Sequence, residues 1–146
     1  MNITTDWIVV DTNVWVFGLR KQPDRPACAE VLKCLHQLQV RIPRQILLEL
    51  RHNLNSEEMN ALFRLWNCHP ERIDISWDRA GSELIDKYRK MGCKLGDSVV
   101  SAHIEAMEAK VLISENRDFL EEIGGLPFRV LNAEEALREI RKQPDV

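Results

Sequence analysis

Apolar and polar positions divide this chain into short segments of two alternating kinds. Trp7 to Val10 is an unbroken apolar run closed by Asp11, the pattern of a strand buried on both faces of a parallel sheet. Thr12 and Asn13 turn the chain, and Val14 to Leu19 starts a short helix. After a loop marked by Pro23 and Pro26, residues Ala27, Val31, Cys34, Leu35 and Leu38 keep helical spacing to about Gln39. Val40 to Ile42 predicts a short strand stopped by Pro43. A proline there suits the first turn of a helix, whose inward stripe is Ile46, Leu47, Leu50 and Leu54. Ser56 is expected to cap the next helix, which carries Leu62, Phe63 and Trp66 and closes at Pro70.

In the second half, Ile73, Ile75 and Trp77 alternate with Asp74 and Ser76, as in a strand. Asp78 to Arg89 reads as a helix ended by Gly92, with Ala80, Leu84, Ile85 and Tyr88 near one face. A helix opened by Asp97 and reaching about Ala109 turns Val100, Ile104 and Met107 inward, and Val111 to Ser114 is the second strongly apolar strand. Gly124, Gly125 and Pro127 form a turn before a short strand, Phe128 to Leu131, and a closing helix, Ala133 to Arg141. Strands alternating with helices predict an α/β fold. It is a three-layer α/β/α sandwich whose central sheet is mainly parallel, with about four to five strands.

Length and composition narrow the picture. A chain of 146 residues, 45% hydrophobic and 29% charged, fits a single domain, 1–146, with its own core and a soluble surface. No apolar run approaches the roughly 20 residues that span a bilayer, so no membrane association is expected. The start, MNITTDWIVV, lacks the basic segment of a secretory signal, and a cytoplasmic location is the expectation. Cys28, Cys34, Cys68 and Cys93 form no CxxC pair, which favours buried or half-buried free thiols over a zinc site. The net charge of −3 excludes a global positive field but leaves room for a local basic rim. His36, His52, His69 and His103 are unpaired in spacing and read as surface or packing residues.

The candidate chemistry lies in acids. In an open parallel sheet, ligands bind beyond the carboxyl ends of the strands. The two most apolar strands each deliver an acid to that edge, Asp11 directly and Asp118 just beyond. Asp97 falls three and seven residues before Val100 and Ile104, hence on the inward face of its helix. Glu49 borders the inward stripe of its own helix, between Ile46 and Leu50. Each acid also has a plainer reading: turn chemistry for Asp11, an N-cap for Asp97, a loop acid for Asp118 and a flanking surface position for Glu49. Together, with Asn13 and Asn116 nearby and no His or Cys among them, they describe a hard-oxygen site suited to Mg²⁺ or Mn²⁺. Such ions activate water and offset charge on a phosphodiester, which points to phosphate-ester hydrolysis. No GxxxxGK or GxGxxG loop is present, which weighs against the nucleotide-binding α/β folds. A haloacid-dehalogenase-like phosphatase would carry an acid where Asn13 stands.

The succession VVDTNV, LLELRHN, GDSVVSAHIEA and VLISENRDF resembles the PIN-domain ribonucleases, many of which are the VapC-like toxins of type II (VapBC) toxin–antitoxin pairs. The resemblance covers nearly the whole chain, and its last two motifs are the most diagnostic. It implies an endoribonuclease acting on single-stranded or structured RNA through a metal-activated water. Asp11, Glu49, Asp97 and Asp118 then match the family's acidic quartet, holding one or two Mg²⁺ or Mn²⁺ ions, with Glu49 reaching the metal through water. Asn13 and Ser114 match positions that hydrogen-bond the site together. Asn116 departs from the pattern, since many relatives carry Asp there; it offers a ligand oxygen without charge. Arg117 is the candidate phosphate contact whose place the motif defines, and Arg20, Lys21, Arg25, Arg44 and Arg51 are further candidates for a basic rim.

The resemblance also implies partners: an RNA substrate, a separate antitoxin protein, and a homodimer or higher oligomer. Val14 to Leu19 with the Asn53 to Trp66 segment are expected to form an apolar groove for the antitoxin, with Trp66 in it. Trp15, Phe17, Phe63 and Trp66 are candidates for a stacking or protein-binding surface, with core packing the plainer reading for most of them. The alternatives are a non-catalytic PIN-like module that binds RNA or protein, and a flap-nuclease-like DNA hydrolase. For the latter the chain offers little room for elements that grip branched DNA.

Overall fold

The computed structural model describes residues 2–116, 118–122 and 125–142. Five strands form one sheet: β1 (Trp7–Val10), β2 (Gln39–Pro43), β3 (Ile73–Ser76), β4 (Val111–Ile113) and β5 (Arg129–Leu131). Their order is β3-β2-β1-β4-β5, and every neighbouring pair is parallel. Parallel pairing demands a crossover between strands. The helices α1 (Thr12–Leu19), α2 (Pro26–Lys33), α3 (Arg44–Asn53), α4 (Ser56–Asn67), α5 (Ser82–Lys90) and α6 (Leu95–Ala106) supply the crossovers from β1 to β4; the helical turn Asp118–Glu122 lies between β4 and β5, and α7 (Ala133–Arg141) follows β5. The result is the α/β sandwich that the alternating pattern predicts.

Burial explains the strand sequences. In β1 and β4 the residues Ile8, Val9, Val10, Val111, Leu112 and Ile113 are all buried, because helices cover both faces. β3 lies at the edge, and its Ile75 is exposed, as is Trp77 just beyond the strand. Helix packing on the α1 side is close. A Cβ on Gly18 would stand 2.8 Å from Leu32 Cδ2 and 2.9 Å from the Cys28 carbonyl, so α2 can approach α1 only over glycine.

Several expected boundaries move, each for a local reason. α1 begins at Thr12 rather than Val14, because the Asp11 carboxylate caps it by accepting from the Thr12 N–H. α2 stops at Lys33, and a single 3-10 turn, Leu35–Gln37, continues its spacing toward β2. Asn55, not Ser56, caps α4, through a reciprocal capping box with Glu58. α5 starts at Ser82 rather than Asp78, and Gly92 follows its end at φ +101°, where a side chain would be strained. α6 begins two residues before Asp97, so Asp97 sits in the first turn and is not the cap.

Trp66 takes the core reading and not the groove one. It is buried and meets the equally buried Trp15 edge-on at 5.5 Å between ring centroids, while its neighbour Phe63 remains exposed. Among the cysteines, Cys28 and Cys93 are buried and Cys34 half-buried, but Cys68 is exposed. No helix among the described residues is long and apolar enough to cross a membrane.

The strand order matters most for function. The chain winds outward from β1 through β2 to β3, then returns to place β4 on the other side of β1. The connections leaving β1 and β4 therefore diverge, and a crevice opens between the carboxyl ends of those two strands.

Candidate active site

Asp11 stands at the mouth of that crevice. Its backbone N–H extends the sheet ladder to the Ile113 carbonyl at 2.9 Å, which holds it at the edge. Its Oδ1 accepts from the Thr12 N–H at 2.8 Å and its Oδ2 from the Ser114 hydroxyl at 2.7 Å. The residue is only 6% exposed. Burial pushes its carboxyl up to about 6, against the two hydrogen bonds and aided by the charges of Glu49 and Asp97.

Glu49 arrives on α3. Its Oε1 accepts from the Thr12 hydroxyl at 2.6 Å and its Oε2 from Gln45 Nε2, one turn earlier, at 3.0 Å. Asp97 arrives on the first turn of α6. Asn116 Nδ2 lies 3.3 and 3.4 Å from its two oxygens. Burial raises the Asp97 pKa; the Asn116 hydrogen bond opposes the shift, Asp118 and Glu49 add to it, and Lys94 opposes it. Asp118 lies beside Asp97, with Oδ2 3.3 Å from Lys94 Nζ.

The segment after β4 ties these groups together. The Ser114 hydroxyl donates to Asp11 and accepts from the Asn116 N–H at 3.0 Å. Asn116 Oδ1 accepts from the Asp118 N–H at 2.9 Å, so its carbonyl serves the backbone while its amide faces Asp97. Asn13 Oδ1 accepts from the Glu115 N–H at 3.1 Å, which joins the start of α1 to the same loop.

Asp11, Asn13, Glu49, Asp97 and Asn116 thus line one cleft of about 380 Å³, with Phe17, Arg20 and Asn53 on its rim. Asp118 does not line it but adjoins Asp97. Of the basic rim, Arg20 reaches this cleft, and its guanidinium is engaged by Glu58 at 2.8 Å and by the Asn53 carbonyl at 3.1 Å. Arg25 pairs with Glu115, while Arg44 and Arg51 line other concavities. Arg117 lies outside the described residues. Thr12 and Gln45 are site residues that the motifs did not single out. Gln45 was visible as the residue four before Glu49; Thr12 meets Glu49 across 37 positions of sequence and had no such signal.

The donor set has the chemistry of a hard-cation site: apart from Arg20, which Glu58 engages, the charged groups lining the cleft are carboxylates, joined by side-chain amides and hydroxyl groups. Burial, and after it the repulsion from neighbouring acids, raises the pKa values of Asp11 and Asp97, and a bound cation offsets both by favouring the charged forms. In the arrangement seen, no three His, Cys, Asp or Glu among the described residues converge tightly enough to enclose an ion.

Solved structures with this architecture include a chain of VapBC2 from Rickettsia felis, in a complex bound to a DNA fragment from their promoter. It is 20% identical, with a TM-score of 0.58 over 86% of this chain and 98% of that one. The PIN domain of T. brucei RRP44 is 13% identical, with a TM-score of 0.53 over 92% of this chain and 80% of that one. At such identities the likeness is one of fold. No curated protein matches the sequence significantly. The PIN domain family model matches residues 8–125, a stretch that begins in β1 and takes in β4 and all four acids. By that match across most of its length, the chain belongs to the PIN domain family.

Proposed function

We propose that this chain is a divalent-metal-dependent endoribonuclease and the toxin half of a toxin–antitoxin pair, working in the cytoplasm as a single domain. The observation that carries the reading is the convergence of Asp11, Glu49 and Asp97 on one cleft at the strand-order reversal. Family membership supports it, since PIN domains are generally nucleases and typically depend on divalent metals. The fold shared with a chain of VapBC2 supports the toxin–antitoxin setting.

Asp11 and Asp97 would hold Mg²⁺ or Mn²⁺, with Asp118 beside Asp97 and Glu49 acting through water. Bound there, the ion supplies activation of water and neutralisation of charge on the phosphodiester. The chain's own residues prepare that site. Ser114 and the Thr12 N–H orient the Asp11 carboxylate, and Thr12 with Gln45 locks both oxygens of Glu49. Asn116 acts here as an orienting residue: its amide faces Asp97, and its oxygen is committed to Asp118 N–H. The cleft is open and lined by acids, which suits a single strand or loop of RNA better than a stiff duplex.

The decisive measurement is RNA cleavage by wild type and Asp97→Asn, each with Mg²⁺ or Mn²⁺ and with EDTA. Cleavage that survives both the substitution and the chelator ends the metal reading. Growth arrest on expression, lost in Asp97→Asn, is the result expected of a toxin.

For the antitoxin, the apolar groove assigned to α1 and α4 changes in one respect. Trp66 is core, so Trp66→Asp would test folding rather than binding. The exposed Phe63, which lines a groove with Leu54 and Met59, is the residue to change. Phe63→Asp is expected to weaken the complex at least tenfold while the thermal midpoint holds. Unchanged binding would remove the groove from the interface.

A further inference from the structure

A second cleft, of about 220 Å³, shares α3 and α6 with the acid cleft. Arg44 comes from α3 and His103 from α6, while Arg79 comes from the segment between β3 and α5. Leu48, Ile85 and Val99 provide apolar wall. Gln45 also lines it and donates to Glu49, so one side chain spans the two clefts.

The charges in this cleft are uncommitted. Arg20, Arg25, Arg41 and Arg129 each have a carboxylate within ion-pair distance. Arg44 and Arg79 have none among the described residues. The acid felt at this place is Asp78, which acts on His103 from the residue before Arg79. Burial and the Arg44 charge lower the His103 pKa, so its imidazole faces the cleft neutral near pH 7. Two guanidinium groups at one concavity match the fork geometry of phosphate oxygens. Exposed Leu48 beside Ile85 and Val99 gives the flat side of a base or ribose an apolar surface.

Size and position decide between a small ligand and part of a chain. The volume falls below the roughly 300–1,000 Å³ of pockets that enclose a whole drug-sized molecule. Arg44 lies five residues before Glu49 on α3, about 7.5 Å along the helix axis, a span that a strand covers in a nucleotide or two. We propose that the Arg44–Arg79–His103 cleft is a subsite for a backbone phosphate and neighbouring nucleotide of the RNA strand whose scissile bond lies in the acid cleft. The subsite rests on the nuclease reading above. It assigns substrate grip to residues outside the acid cluster, and makes the α3–α6 ridge the path of the strand.

The test uses the full chain in two backgrounds. In Asp97→Asn protein, which binds without cutting, the Kd of a fluorescein-labelled single-stranded RNA of about 20 nucleotides is measured by anisotropy across a salt series. Adding Arg44→Ala and Arg79→Ala is expected to weaken binding about tenfold and to flatten log Kd against log salt by ~0.7, the slope of one lost phosphate contact on a single strand. Replacing both by Lys should restore the salt slope but only part of the affinity. In the cutting-competent background, KM should rise more than kcat falls, and the loss should shrink as the RNA is shortened.

Circular dichroism and the thermal midpoint establish that the variants are folded. Unchanged affinity and slope in folded variants would overturn the subsite and leave the nuclease reading standing. An affinity loss that tracks a change in oligomeric state, read by light scattering, would also overturn it and make the cleft a protein contact. A wild type that binds RNA through this cleft but cuts none with Mg²⁺ or Mn²⁺ would instead sink the nuclease reading.

Discussion

In the cleft at the strand-order reversal, each carboxylate already has donors: Ser114 and Thr12 on Asp11, Thr12 and Gln45 on Glu49, Asn116 on Asp97. In the neighbouring cleft, Arg44 and Arg79 face a concavity with no carboxylate within ion-pair distance among the described residues. Both draw side chains from α3 and α6, with α1 supplying much of the acid cleft, and they differ in how the charges are held. Donors fixed on acids restrict rotamers and keep lone pairs aimed, as chemistry requires of positioning groups. Charges without protein partners retain their full interaction for a ligand, as binding requires.

That contrast can be broken in order of expected effect. Asp97→Asn strikes the acid cleft directly and should lower the RNA cleavage rate on the order of 10³-fold, a loss of several kcal/mol of transition-state stabilisation. A rate within tenfold of wild type would put the chemistry elsewhere.

Asp11→Asn examines the electrostatic strain. The Asp11 carboxyl sits at about 6 in the fold against 3.8 for the free side chain, so the native chain holds that proton more tightly than the unfolded one. Without divalent ions, stability should fall as pH rises from about 4 to about 6, by up to ~3 kcal/mol, and stay lower above that window. Asp11→Asn should flatten that stretch of the denaturation profile and be the more stable protein at pH 7. Mg²⁺ should raise the wild-type midpoint at pH 7 and leave that of the variant nearly unchanged. A wild type insensitive to pH between 4 and 6 would show that Asp11 is not strained.

Ser114→Ala removes a positioning donor without touching charge. It should cost about 10–100-fold in cleavage and about 1–3 kcal/mol of stability, because Asp11 and the Asn116 N–H each lose a partner. The paired arginine substitutions come last, with their expected tenfold loss of affinity. Should they reduce kcat as much as Asp97→Asn does, the two clefts would not differ in role.

Much of this site was legible before any coordinates. Asp11 and Asp118 stood out because parallel strands buried on both faces end abruptly at polar residues, and ligands bind at that edge. Asp97 and Glu49 were legible from helical phase against Val100, Ile104, Ile46 and Leu50. What phase could not convey is hydrogen-bond direction. Asn116 reads in sequence as a neutral stand-in for an acid, yet its amide faces Asp97 and its oxygen serves Asp118. The choice between groove and core for Trp66 was open in the sequence for a related reason: an amphipathic stripe records which face is apolar, not which apolar residue finds a partner such as Trp15.

By itself, the order of residues determined the alternation of strands and helices, because that depends on local periodicity, and it singled out four candidate acids, through strand ends, helical phase and the resemblance. The tertiary structure alone decided that Thr12 meets Glu49 across 37 residues and that Gln45 links two clefts. It alone set Arg44 and Arg79 in one cleft with no carboxylate within ion-pair distance of either among the described residues. Those relations depend on how the crossovers stack around β1 and β4, and contacts between distant segments leave no period in the sequence to read.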